Sequence, residues 1–140
     1  MPHPKFSLAV AGRVIDAALE KAADIDQPMN VAVVDDGGHL LAFVRQDGAI
    51  LASIDISIGK ARTAVLLEMS TEKLGIAAGS DGPLYGIEVT NGGLVIFGGG
   101  IPLINGDGEV VGAIGVSAGA VEQDIAVAQA GVDAFGKESG

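Results

Sequence analysis

Arg45 and Asp47 stand two residues apart at the end of an apolar run and are followed by Gly48, a pattern suited to holding a carboxylate. Positions two apart on a strand share a face, and a glycine lets the backbone turn sharply beside them. A guanidinium there can fork two hydrogen bonds onto a carboxylate while Asp47 orients it. The same pair could instead pin the turn into the next element. The segment that follows, 53–64, adds Lys60, Arg62 and Thr63. Arg45, Lys60 and Arg62 are three of only eight Lys and Arg in a chain of formal net charge -10. Their closeness in sequence predicts that they converge on one anion-holding cavity. Lys60 and Thr63, three apart on a helix, could address one anionic group. They could equally be a solvated charge and a hydroxyl bonded back to its own helix. Arg62 reads as a surface or interface residue.

His39 follows Asp36-Gly37-Gly38 and is the one histidine expected inside folded structure, His3 lying between Pro2 and Pro4. It is the imidazole that could ligate iron or cobalt axially, or move a proton; a plain solvent-facing histidine is the other reading. No second histidine or carboxylate pair stands at a zinc-motif spacing, so no dedicated zinc or iron hydrolase site is expected. With no Cys, disulfides, thiolate nucleophiles and Fe–S clusters are excluded. Ser53, Ser57 and Ser117 lack the nucleophile-elbow context of a serine hydrolase. Gly98-Gly99-Gly100 is not a nucleotide loop, because no Gly-Lys-Ser/Thr follows. Gly99 and Gly100 could let a ligand or a neighbouring chain approach the backbone and bind an anion through their amides, or could mark a strand bend.

The acidic balance argues against nucleic acid and anionic membranes, whose phosphates require a cationic face. At 140 residues, with 49% hydrophobic and 19% charged side chains, the chain fits a single domain, 1–140, with 1–6 a flexible tail. The first residues do not read as a signal peptide, so the mature chain is expected to begin there and to be cytoplasmic. The uncharged run 89–106 is long enough to span a bilayer, yet Gly92, Gly93, Gly98, Gly99, Gly100 and Pro102 would leave backbone groups unpaired in lipid.

The elements that must position these residues follow from periodicity. Ser7 can cap a helix through Ala23, with Leu8, Ala11, Val14, Ile15, Ala18, Leu19 and Ala22 at helical spacing. Met29–Val34 and Leu40–Val44 read as a hairpin across the Gly-Gly turn. Ser53–Leu67 reads as a helix packing through Ile54, Ile58, Ala61 and Val65, and Ser70–Leu74 as a further helical turn. Gly75–Thr90 reads as a long loop forming part of the pocket wall. Leu94–Phe97, Ile101–Ile104 and Val110–Ser117 read as strands, and Val121–Phe135 as a final helix. In Val111–Val116 glycine alternates with small apolar residues, which permits close packing of a central strand. The sum is an α+β fold with a five-stranded antiparallel sheet and helices on its faces.

At VAVVDDGGHLLAFVRQDGAILASIDISIGKARTA and GGGIPLINGDGEVVGAIGVSAGAVEQDIAVAQAGVDAF the chain resembles the GlcG/HbpS-like family, which includes the C-terminal domain of PduO-type proteins. The resemblance extends over nearly the whole chain from the first helix onward. It implies a profilin-like layered fold, assembly into dimers or higher oligomers, and haem or corrinoid binding as in several members. Together with the residues above, it leads to the expectation of an oligomeric protein that binds a small anionic ligand through His39, Arg45, Asp47, Lys60, Thr63, Gly99 and Gly100. The alternative is an enzyme of small-acid or aromatic-acid catabolism in which Arg45 anchors a carboxylate and His39, Asp47 or Lys60 moves a proton. A scaffolding module with a vestigial groove is a third reading.

Overall fold

A computed structural model describes residues 6–139. Helix α1 (Leu8–Asp24) begins where Ser7 Oγ accepts a hydrogen bond from the Val10 N–H at 3.2 Å, the cap foreseen from sequence. It buries Ala11, Val14, Ile15, Ala18 and Ala22 on one stripe. Strand β1 (Asn30–Asp35) turns back into β2 (Leu40–Arg45). The turn is closed by Asp35 Oδ1, which accepts from the N–H groups of Gly37 and His39, each at 2.9 Å. Helices α2 (Ala52–Leu67) and α3 (Thr71–Ala77) follow, then a loop containing a short 3-10 turn at Ile87–Val89. A second hairpin, β3 (Gly100–Ile104) and β4 (Val110–Ser117), leads to α4 (Val121–Ser139).

The four strands form one antiparallel sheet in the order β2-β1-β4-β3. Successive strand residues face opposite sides, and each side has its own core. Val31, Val33, Ile114 and Val116 pack with α1 and α4, whereas Ala32, Val34 and Ala113 pack with Ala61, Ala64 and Val65 of α2. The result is helix, sheet, helix in three layers. Among the described residues no helix is long and apolar enough to cross a membrane. Of the expected tail, residues 1–5, including His3, lie outside the described residues, while Phe6 is buried edge-on against Phe135 with ring centroids 5.6 Å apart.

The expected fifth strand, Leu94–Phe97, is not formed; the sheet has four strands. That run lies across α2 and α3 instead of beside a strand. The Val95 N–H donates to Thr63 Oγ1 at 3.0 Å, and the Ile96 carbonyl lies close against Gly75. The buried face of α2 takes in Ala61 and Val65 of the expected stripe but is centred to one side of it. Ser53, Ser57, Lys60, Ala61 and Ala64 are buried, while Ile54 and Ile58 are only half-buried. The cause is Gly115 of β4, where the α2 backbone comes so near that a Cβ would overlap the Ser57 carbonyl oxygen and sit 2.6 Å from Ala61 N. Only small or extensible side chains fit on a helix held that close.

Candidate functional site

The end of β2 and the end of α1 meet in an open cleft of about 540 Å³ that includes Arg45, Gln46 and Asp47 on one side and Ala22, Asp26 and Pro28 on the other. Gln46 is fixed, its Oε1 accepting from the Met29 N–H at 2.9 Å and its backbone N–H donating to the Met29 carbonyl at 3.0 Å. Gly48, at φ 88°, then turns the chain toward α2. Arg45 and Asp47 are exposed, and among the described residues neither side chain has a hydrogen-bond or ion-pair partner. The Arg45 fork is therefore available to a ligand carboxylate.

Lys60 has the opposite environment. Its ammonium is fully buried, donates to the Val116 carbonyl at 2.8 Å and to Asp124 Oδ2 at 3.0 Å, and sits 4.9 Å from the centre of the Phe97 ring. An ammonium has three protons, and here a carbonyl, a carboxylate and an aromatic face surround it. Asp124 reaches the pair from the first turn of α4 and also accepts from the Gly119 N–H at 2.9 Å. Burial pushes the Lys60 pKa down against the opposing pull of Asp124. Burial pushes the Asp124 carboxyl up, against Lys60 and the Gly119 and Ala118 N–H groups. Ala118 beside them holds φ 147°, a region costly for any residue with a side chain, which this anchoring sustains.

The remaining candidates serve the fold's own contacts. Gly99, at φ 128°, is buried where a Cβ would stand 2.7 Å from Lys60 Nζ, and Gly100 lies against the Lys60 backbone. The Gly100 N–H donates to Thr71 Oγ1 at 2.9 Å. Thr63 receives Val95, and Arg62 donates to the Asn91 carbonyl at 2.9 Å, clamping the loop that precedes β3. His39 stands on the hairpin tip with 82% of its side chain exposed, its Nδ1 3.4 Å from Asp35 Oδ1. Burial raises the Asp35 pKa, but the His39 and Gly37 N–H groups more than offset it, so the carboxyl is held below its ordinary value.

The structure thus brings Arg45 together with Asp47, and Lys60 together with Gly99 and Gly100, but does not join the two groups. The expected convergence of Arg45, Lys60 and Arg62 on one cavity does not occur within a chain, because Lys60 is consumed by Asp124 and Arg62 by loop carbonyls. Asp124 was not singled out from sequence: an acid in the first turn of a helix looks like a response to the helix dipole, and its partner lies 64 residues away. Among the described residues His39 is the only imidazole, and it does not line the Arg45 cleft. His39 and Arg45 stand at opposite ends of β2, their backbones about 20 Å apart at strand rise.

Residues 6–133 match the family described as haem degrading protein HbpS-like. The chain is 43% identical over 131 residues to a 15.0 kDa Citrobacter freundii protein encoded between dhaT and dhaS, covering 93% of this chain and 92% of that one. Its fold is similar to that of ORFY from Klebsiella pneumoniae, with TM-score 0.90, 39% identity, and 96% and 93% of the two chains covered. It is also similar to the C-terminal domain of PduO crystallised as a haem complex, with TM-score 0.87, 35% identity, and coverage of 92% and 94%. Sequence and architecture agree, and the chain belongs to the HbpS-like family.

Proposed function

We propose that this protein is a homo-oligomeric small-molecule-binding protein whose ligand presents a carboxylate to Arg45, with Asp47 orienting it. The observation that carries the reading is the state of the cations. Lys60 and Arg62 are engaged by the fold, while Arg45 faces a cleft with no partner among the described residues. An unpaired guanidinium has two parallel N–H donors to offer a planar anion. The haem complex of the PduO C-terminal domain makes haem, or a related corrinoid, the first ligand to test. The cleft itself asks only for the carboxylate.

Haemin titration followed at the Soret band tests this. Saturable binding is expected, weakened about tenfold or more in Arg45→Ala, the loss of one charge-assisted anchor. His39→Ala weakens it as well if the imidazole is an axial ligand. Non-saturating spectra, identical in the wild type and both variants, would reject haem as the ligand.

A further inference from the structure

At the opposite edge of the sheet a second cavity, of about 350 Å³, opens between β3, α3 and α4. Its walls are Ile101 on β3 and Val132 and Phe135 on α4, and its rim carries Ser70 and Lys73. Two further observations bear on what it holds. Lys73 is exposed and has no side-chain partner among the described residues, and no carboxylate lines the cavity. Gly136, also in the lining, is a helical glycine at which a Cβ would meet nothing within 4 Å. Packing does not demand a glycine there, and glycine in a helix is less stable than alanine. Its effect is to keep the α4 wall low where the cavity opens.

An apolar hole with one cation and one hydroxyl at its mouth matches a molecule with an apolar body and a single negative end. We propose that this pocket binds an amphiphilic monocarboxylate, its hydrocarbon part among Ile101, Val132 and Phe135 and its carboxylate on Lys73 and the Ser70 hydroxyl. Ser70 Oγ already accepts from the Lys73 N–H at 3.2 Å, which leaves its own proton to donate. The site is separate from the Arg45 cleft: no residue lines both.

Octanoate is the probe, titrated into the full chain with methyl NMR as readout. Saturable shifts are expected at the Ile101 and Val132 methyls, with octanol binding about tenfold more weakly and Lys73→Gln reducing octanoate affinity by a similar factor. Gly136→Leu should block binding while leaving thermal stability unchanged or raised; if that variant does not fold, Lys73→Gln still decides. Absence of shifts, or shifts equal for octanoate and octanol and unchanged in Lys73→Gln, would overturn the proposal. Shifts at these methyls that follow protein concentration and not octanoate would overturn it too, by showing that a second copy covers the pocket.

Discussion

Lys60→Met is expected to destabilise the protein by about 3–5 kcal/mol, the usual cost of removing one partner from a buried ion pair. For a domain of this size that lowers the melting temperature by roughly 10–15 °C. The methionine fills the space of the aliphatic stem but leaves the Val116 carbonyl without its donor and Asp124 as a buried charge. Burial already raises the Asp124 pKa, and loss of the ammonium raises it further. A carboxyl whose folded pKa exceeds its unfolded value stabilises the fold below the unfolded pKa, and that contribution is lost as pH rises through the folded value. The deficit of Lys60→Met relative to wild type should therefore shrink on acidification and grow toward neutral pH. Asp124→Asn keeps an acceptor for the Gly119 N–H while removing the charge, so Lys60→Met/Asp124→Asn should cost less than the sum of the single changes by about 1 kcal/mol or more. Denaturant unfolding of the four proteins measures the cycle. Strict additivity, or a deficit independent of pH, would contradict the ion-pair account.

Gly115→Ala should be of comparable severity for a different reason. Gly115 pairs with Ala32 of β1 and with Gly100 of β3, so β4 is fixed on both sides at that point. The added methyl would meet the Ser57 carbonyl and Ala61 N, backbone atoms with no rotamer to yield. Overpacking against mobile side chains costs about 1–3 kcal/mol, and against backbone the upper end of that range or more is expected. The chain should accumulate in insoluble form or melt far below wild type. A Gly115→Ala protein of unchanged stability would show that α2 does not approach β4 as closely as described.

These two positions also mark how far the sequence was legible. The Ser7 cap, the apolar stripe of α1 from Ala11 onward and both hairpins depend on contacts within a few residues, and they form as the pattern indicates, while Leu8 at the head of the stripe is exposed. The run Leu94–Phe97 has the composition of a strand, but strand identity depends on a partner, and Thr63 Oγ1 together with Gly75 claims that segment first. Of the α2 stripe Ala61 and Val65 are buried as expected, whereas Ile54 and Ile58 are only half-buried, because the size of the facing residue, Gly115, decides what fits. The cleft at Arg45 and Asp47 was readable because pair and turn are local. The fate of Lys60 was not, since its acceptors, Val116 and Asp124, lie 56 and 64 residues along the chain and bear no pattern relating them to it.

The proposed function rests on Arg45 being free to meet a ligand where Lys60 and Arg62 are not. A crystal structure of the haemin-saturated protein is the most direct test. The account predicts a propionate within hydrogen-bond distance of the Arg45 guanidinium, with the Lys60–Asp124 pair intact and untouched. A propionate seated on Lys60, with Asp124 displaced, or a bound macrocycle with no carboxylate near Arg45, would contradict it.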